Sequence, residues 1–194
     1  MHGTTTVGIL VREGVVLAAD KRATAGYYVA HRRTKKIVRV WDKIAITTAG
    51  LVADAQALAD YLESSLKYYT LTAKHPVTVR LAAHYLSQIL YSYKLFPLLV
   101  QLIVAGYDTE PRLFGLDWYG GIIEDKYIAT GSGTPIAMGI IESEYSEDLS
   151  TEEARRLAVK AIKAALRRDA ATGDGVDTLI IEKERVEEKT ELLS

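Results

Sequence analysis

A four-layer α-β-β-α sandwich of two antiparallel sheets, an α+β architecture, is the fold this sequence predicts, and three features predict it. The elements run in the order strands, two helices, strands, two helices, strand; some strand segments are apolar at both alternating sets of positions; and the helices carry an apolar stripe along one side. A sheet that is apolar on both faces needs cover on both. Two sheets stacked together, with helices outside, supply it.

Thr4 to Arg12 and Val15 to Arg22 are β-branched and apolar, and Glu13-Gly14 between them has the composition of a tight hairpin turn. A second pair, Lys36 to Val40 and Lys43 to Thr48, is joined through Trp41-Asp42 and ends at Ala49-Gly50, where a helical period begins. Leu51, Ala55, Leu58, Leu62 and Leu66 mark one amphipathic helix. Val79, Ala82, Leu86, Ile89 and Tyr93 mark a second, antiparallel to the first, after His75-Pro76. Strand composition returns at Leu98 to Tyr107 and Pro111 to Trp118, and Gly120-Gly121 turns the chain into a strand over Ile122 to Ile128. Thr134-Pro135 opens a short helix, and Ser150 with Glu153 forms a capping box ahead of a longer one. Val176 to Glu182 is the last predicted strand, and Lys183 to Ser194 reads as a charged surface segment or partner contact.

Composition narrows the chemistry. The chain has 194 residues and a net charge of -1, enough for one domain with its own core and no overall footprint for nucleic acid or an anionic membrane. The longest apolar stretch, Leu95 to Gly106, is broken by Pro97 and Gln101 and falls short of the roughly 20 residues that span a bilayer. The first residues lack a charged-then-apolar secretory pattern, so a cytoplasmic location is expected. There is no cysteine, which removes disulfides, thiol nucleophiles and thiolate metal sites. Asn is absent as well, a depletion of thermolabile residues that hints at a thermophilic source. No G-x-S-x-G, HExxH or P-loop pattern occurs, and His2, His31, His75 and His84 have no ligand spacing, so neither metal nor cofactor is expected.

With histidine unsuited as a base, Gly3-Thr4 offers another. An N-terminal threonine carries a nucleophilic hydroxyl and its own α-amine, whose pKa near ~8 suits a base at neutral pH. A threonine triplet alone, however, reads first as the start of a β-branched edge strand. Six ordered segments add weight: Thr4-Thr5-Thr6-Val7-Gly8, Ala18-Ala19-Asp20-Lys21-Arg22, Lys35-Lys36, Thr48-Ala49-Gly50-Leu51, Gly131-Ser132-Gly133 and Arg168-Asp169-Ala170. Together, from Thr4 to about Glu182, the chain resembles the proteasome β subunits, threonine proteases of the N-terminal nucleophile hydrolase family. The related bacterial two-ring threonine peptidase fits less well in length and at Arg168-Asp169-Ala170.

The resemblance implies a short propeptide, residues 1–3, and a catalytic domain over 4–194. Cleavage between Gly3 and Thr4 would free the amine. It implies Thr4 as nucleophile, Asp20 and Lys36 beside it, Gly50 as oxyanion donor, and Ser132 with Asp169 as a polar pair. Where many members carry a serine three residues after the aspartate, this chain has Thr172, stiffer by one methyl. Ala23, Thr34, Val38, Thr48 and Val52 would line a neutral, mostly small pocket for the residue before the scissile bond. Partners implied are other β subunits in a heptameric ring, α subunits, regulatory ATPases indirectly, and unfolded polypeptide as substrate. The other reading is an unprocessed, inactive structural β subunit. Two segments also have plainer readings: Lys36 as one cation of the solvated run His31 to Lys36, and Gly131-Ser132-Gly133 as a phosphate loop, which lacks the lysine and spacing.

Overall fold

The computed structural model describes residues 3–25 and 28–192. Met1 and His2 of the expected propeptide therefore lie outside the described residues, as do Leu193 and Ser194 of the tail.

Two five-stranded antiparallel sheets form the centre. In the first, β1 (Thr5–Val11) lies between β2 (Gly14–Asp20) and β10 (Tyr127–Gly131), and β2 continues to β11 (Gly175–Glu182) and β12 (Val186–Leu192). In the second, β5 (Ile37–Trp41), β6 (Ile44–Gly50), β7 (Val100–Tyr107), β8 (Pro111–Leu116) and β9 (Ile122–Glu124) pair in chain order. A short hairpin, β3 (Ala23–Ala25) with β4 (Tyr28–His31), stands apart from both.

The period of two explains the layering. Along β2, Val15, Leu17 and Ala19 face the second sheet, where they join Ile37, Ala45, Ile103 and Leu113 in the central core. Val16 and Ala18 between them point the other way, into a core shared with α3 (Thr134–Glu144) and α4 (Thr151–Leu166). The second sheet is covered on its outer face by α1 (Val52–Ala73) and α2 (Val79–Ser92), whose Leu58, Leu62, Leu66 and Leu86 are buried with Ile46, Leu102 and Val104. Helices, sheet, sheet, helices: the four layers are those the sequence predicts. The predicted capping box is present, Ser150 Oγ accepting from Glu153 N while the Glu153 carboxylate accepts from Ser150 N, a device worth about 1 kcal/mol.

Three features differ from the sequence reading. Ile122 to Ile128 is not one strand: β9 closes the edge of the second sheet, and after Asp125-Lys126 the chain crosses to the first sheet as β10, with Thr5 opposite Gly131. The charged Glu124-Asp125-Lys126 cannot enter the core, and Lys126 O instead accepts from Leu10 N at 2.7 Å. The tail is a strand as well. Its alternating Glu187, Glu188, Lys189 and Glu191 give β12 the charged edge that discourages further strand addition. The β3–β4 hairpin, finally, is too short to announce itself by alternation.

Candidate active site

Pairing register places three site residues at one end of the first sheet. Thr4 precedes β1, Asp20 ends β2, and Ser132 follows β10 directly. The second sheet contributes two more, Lys36 immediately before β5 and Gly50 at the end of β6. Thr4, Asp20 and Lys36 are all buried.

Asp20 is the hub. Its Oδ1 accepts from Thr4 Oγ1 at 2.6 Å, Lys36 Nζ at 2.7 Å and Thr5 N at 3.0 Å, while Oδ2 accepts from Arg22 N at 3.1 Å and Gly173 N at 3.0 Å. Five donors on one fully buried carboxylate hold it in a single orientation and compensate its desolvation. Lys36 Nζ also donates to Thr4 Oγ1, so the hydroxyl sits between an ammonium and a carboxylate. Burial pushes the Lys36 ammonium below the ordinary lysine pKa, with the charge and hydrogen bond of Asp20 opposing that shift.

A second network meets the first at Thr4. Thr4 N–H donates to Ser132 Oγ at 3.2 Å, and Ser132 Oγ donates to Asp169 Oδ2 at 2.6 Å. Thr172 Oγ1 donates to the same Asp169 oxygen at 2.6 Å and lies 2.7 Å from Thr5 Oγ1. The hydroxyl of Thr172 is thus placed in this network, and its extra methyl is accommodated with the residue fully buried.

Gly50 has φ +125°, and a Cβ there would overlap the Leu99 carbonyl. Glycine is the residue that tolerates both conditions. The next N–H, Leu51, is bonded to Leu99 O at 2.8 Å, and α1 starts one residue later. A cavity of about 690 Å³ opens in front of Thr4, Lys36 and Gly50, and Ala23, Thr34, Val38, Thr48 and Val52 all line it.

Comparison with known proteins fits this geometry. The family described as "Proteasome subunit" matches residues 1–181. "Proteasome subunit beta 2" of Hyperthermus butylicus is 55% identical over 184 residues, covering 95% of this chain and 87% of that protein. "Proteasome subunit beta 2" of Aeropyrum pernix is 56% identical over 187 residues, 96% of this chain and 85% of that one. "Proteasome subunit beta 1" of Saccharolobus islandicus is 48% identical over 176 residues, 91% and 83% respectively. The chain belongs to the proteasome subunit family, as a β-type member.

In this β-type subunit the site holds residues that the sequence reading left without a role. Thr24 Oγ1 accepts from Gly3 N at 3.3 Å, beside the Gly3-Thr4 bond. Arg22 braces the loop that carries Asp169 and Gly173: its side chain reaches Asp174 Oδ2 at 2.8 Å and Ala170 O at 2.9 Å, and a Cβ at Gly173 would overlap its guanidinium. Thr6 Oγ1 bonds Thr47 at 2.9 Å and Thr130 at 2.6 Å, tying the two sheets together behind the site. Each is a local hydroxyl or charge whose partner is more than twenty residues away in sequence, so no spacing pattern marks it. Gly3 itself is buried, and a Cβ there would overlap Ala171 and crowd Ser132.

Proposed function

We propose that this subunit is a threonine endopeptidase of the proteasome core. The observation that carries the reading is the Thr4 hydroxyl held between Lys36 Nζ and Asp20 Oδ1 at the mouth of a cavity. An ammonium beside the hydroxyl favours its deprotonated form, and Asp20 compensates a cation that would otherwise be costly to bury. While Gly3 is attached, Thr4 N is an amide and cannot act as a base. Maturation supplies one. Thr4 Oγ1 attacks the Gly3 carbonyl carbon, the C–N bond breaks as the proton moves to the nitrogen, and water hydrolyses the resulting ester.

The products are a peptide ending at Gly3 and a catalytic domain over 4–194 with a free amine. That amine, with an intrinsic pKa near ~8, takes the hydroxyl proton when Thr4 attacks a substrate carbonyl and returns a proton to the leaving amine. The Gly50 N–H stabilises the oxyanion, and Ser132, Asp169 and Thr172 orient the amine. Ala23, Thr34, Val38, Thr48 and Val52 form a neutral pocket for the residue before the scissile bond. After co-assembly with α subunits in a cytoplasmic particle, intact mass is expected to fall by Met1 to Gly3, and a threonine-directed covalent inhibitor is expected to label Thr4. Persistent full-length mass without labelling would instead identify an unprocessed structural subunit.

Ring assembly has a matching surface. Tyr91, Tyr93, Leu95, Phe96, Trp118 and Tyr119 are all exposed, Leu95 at 81% and Phe96 at 86%. Ser87 Oγ, on α2, donates to Gly120 O at 2.6 Å, which holds the β8–β9 turn carrying Trp118 and Tyr119 against the end of α2 that leads into Leu95 and Phe96. Exposed aromatic and aliphatic side chains of this kind are what the core of a protein interface buries. The occupant is a neighbouring β-type subunit. Leu95→Asp with Phe96→Asp is expected to leave the isolated chain folded by circular dichroism yet abolish ring formation, truncation of such anchors costing about 2–4 kcal/mol each. Intact rings from this variant would exclude the patch.

A further inference from the structure

The cavity in front of Thr4 is lined by Arg22, His31, Arg32, Arg33, Lys35 and Lys36, and among the described residues no Asp or Glu lines it. The carboxylates that balance these arginines and lysines sit behind the wall or outside it. Asp20 is fully buried under Lys36, and Asp174 lies against Arg22 with its side chain 11% exposed. Asp169 faces Ser132 and Thr172. Glu188 meets Lys35 at 3.0 Å from the outer strand β12.

Two cations are left turned toward the opening. Asp174 is engaged by Arg22, so Arg32 shares it only at 3.4 Å with 74% of its own side chain exposed. Arg33 is exposed and forms no ion pair among the described residues. The run that carries them leads directly into Lys36, whose Nζ reaches Thr4 Oγ1. At about 3.3 Å per extended residue, Arg33 is at most about 10 Å from Lys36 along the chain, the span of three residues of bound substrate.

We propose that this basic rim is a subsite for an acidic side chain of the substrate, Asp or Glu, within about three residues of the scissile bond and outside the neutral pocket. The inference rests on the peptidase reading of Thr4. Guanidinium groups match carboxylates in planar, two-point geometry, and cations at the wall of a cleft concentrate field in its opening. The neutral residues Ala23, Thr34, Val38, Thr48 and Val52 offer an acidic side chain no counter-charge, so the preference belongs to the rim.

The test uses the assembled particle and fluorogenic peptides with one neutral residue before the scissile bond and Glu, Gln or Lys at each neighbouring position in turn. At one or more positions Glu is expected to exceed Gln by about two- to tenfold in kcat/KM, mainly through KM, with Lys below Gln. The Glu-to-Gln ratio should shrink as salt rises from about 0.05 to 0.5 M, and in Arg32→Gln with Arg33→Gln it should approach one. Hydrolysis with equal rates for Glu and Gln at every position overturns the inference and leaves the peptidase reading intact. So does a preference that survives the double substitution. Failure to hydrolyse or label at all refutes the peptidase reading itself. Inhibition by a short single-stranded oligonucleotide, without any acidic preference, would assign the rim to nucleic acid instead.

Discussion

Thr4→Ala in the co-assembled particle is expected to keep Met1 to Gly3 attached and to hydrolyse peptides at least about ten-thousandfold more slowly than the parent. The size of the effect follows from the economy of the site. In the proposed mechanism one residue supplies both the nucleophile and, after maturation, the base, so one substitution would remove the covalent pathway and its activation together. Intact mass reports the first loss and kcat/KM the second. Thr4→Ser sharpens the test, because it retains the hydroxyl between Lys36 and Asp20 and is expected to process and turn over, though more slowly, having lost the methyl that fixes its rotamer. A Thr4→Ala particle that still cleaves peptides would remove Thr4 from the mechanism.

Asp20→Asn is the second substitution with a large expected effect, and it acts on stability and chemistry together. It leaves Lys36 buried beside an amide, and breaking a buried pair on one side costs about 3–5 kcal/mol. At about 2–4 °C per kcal/mol for a chain of this size, the isolated subunit should melt on the order of 10 °C lower. The pH dependence has a definite sign. Burial already lowers the Lys36 pKa and Asp20 raises it in part, so removing Asp20 lowers it further. A folded-state pKa below the unfolded value means that the unfolded chain binds more protons between the two, and stability rises with pH across that window. The gap between variant and parent should therefore be widest at neutral pH and narrow toward alkaline pH, as the variant's Lys36 becomes neutral first. A gap independent of pH would show that the loss is not due to the Lys36 charge. Peptide hydrolysis by the assembled variant should fall about a hundredfold or more, since the acceptor of the hydroxyl loses its charge and the ammonium its counter-ion.

Much of the layer order was legible because it depends on periodicity. Val15, Leu17 and Ala19 against Val16 and Ala18 demand two apolar faces, and Leu58, Leu62 and Leu66 demand one helical stripe. Less visible was which strand pairs with which. The change of sheet at Asp125-Lys126 uses only charged residues that a single strand could also expose on its edge, and β12 is read as a tail because its alternation is between charges. At the site, Thr4, Asp20, Lys36, Ser132 and Asp169 stand out by resemblance, and the structure brings them within hydrogen-bond reach of one another in two linked networks. Arg22, Thr24 and the Thr6-Thr47-Thr130 cluster have no role legible in the sequence. Their importance depends on contacts between distant segments, which side-chain identity alone does not reveal.

The crossing of β9 into β10 has a temporal meaning. Thr4, Asp20 and Ser132 belong to one sheet, Lys36 and Gly50 to the other, and the span from Ile122 to Gly131 belongs to both. A newly made chain whose sheets have not docked holds its hydroxyl and its ammonium far apart, and the Gly3-Thr4 bond is then an ordinary, durable peptide. Under the proposed maturation, scission of that bond would serve as an irreversible timestamp. It would certify, molecule by molecule, that the two halves have met before the proposed peptidase is released.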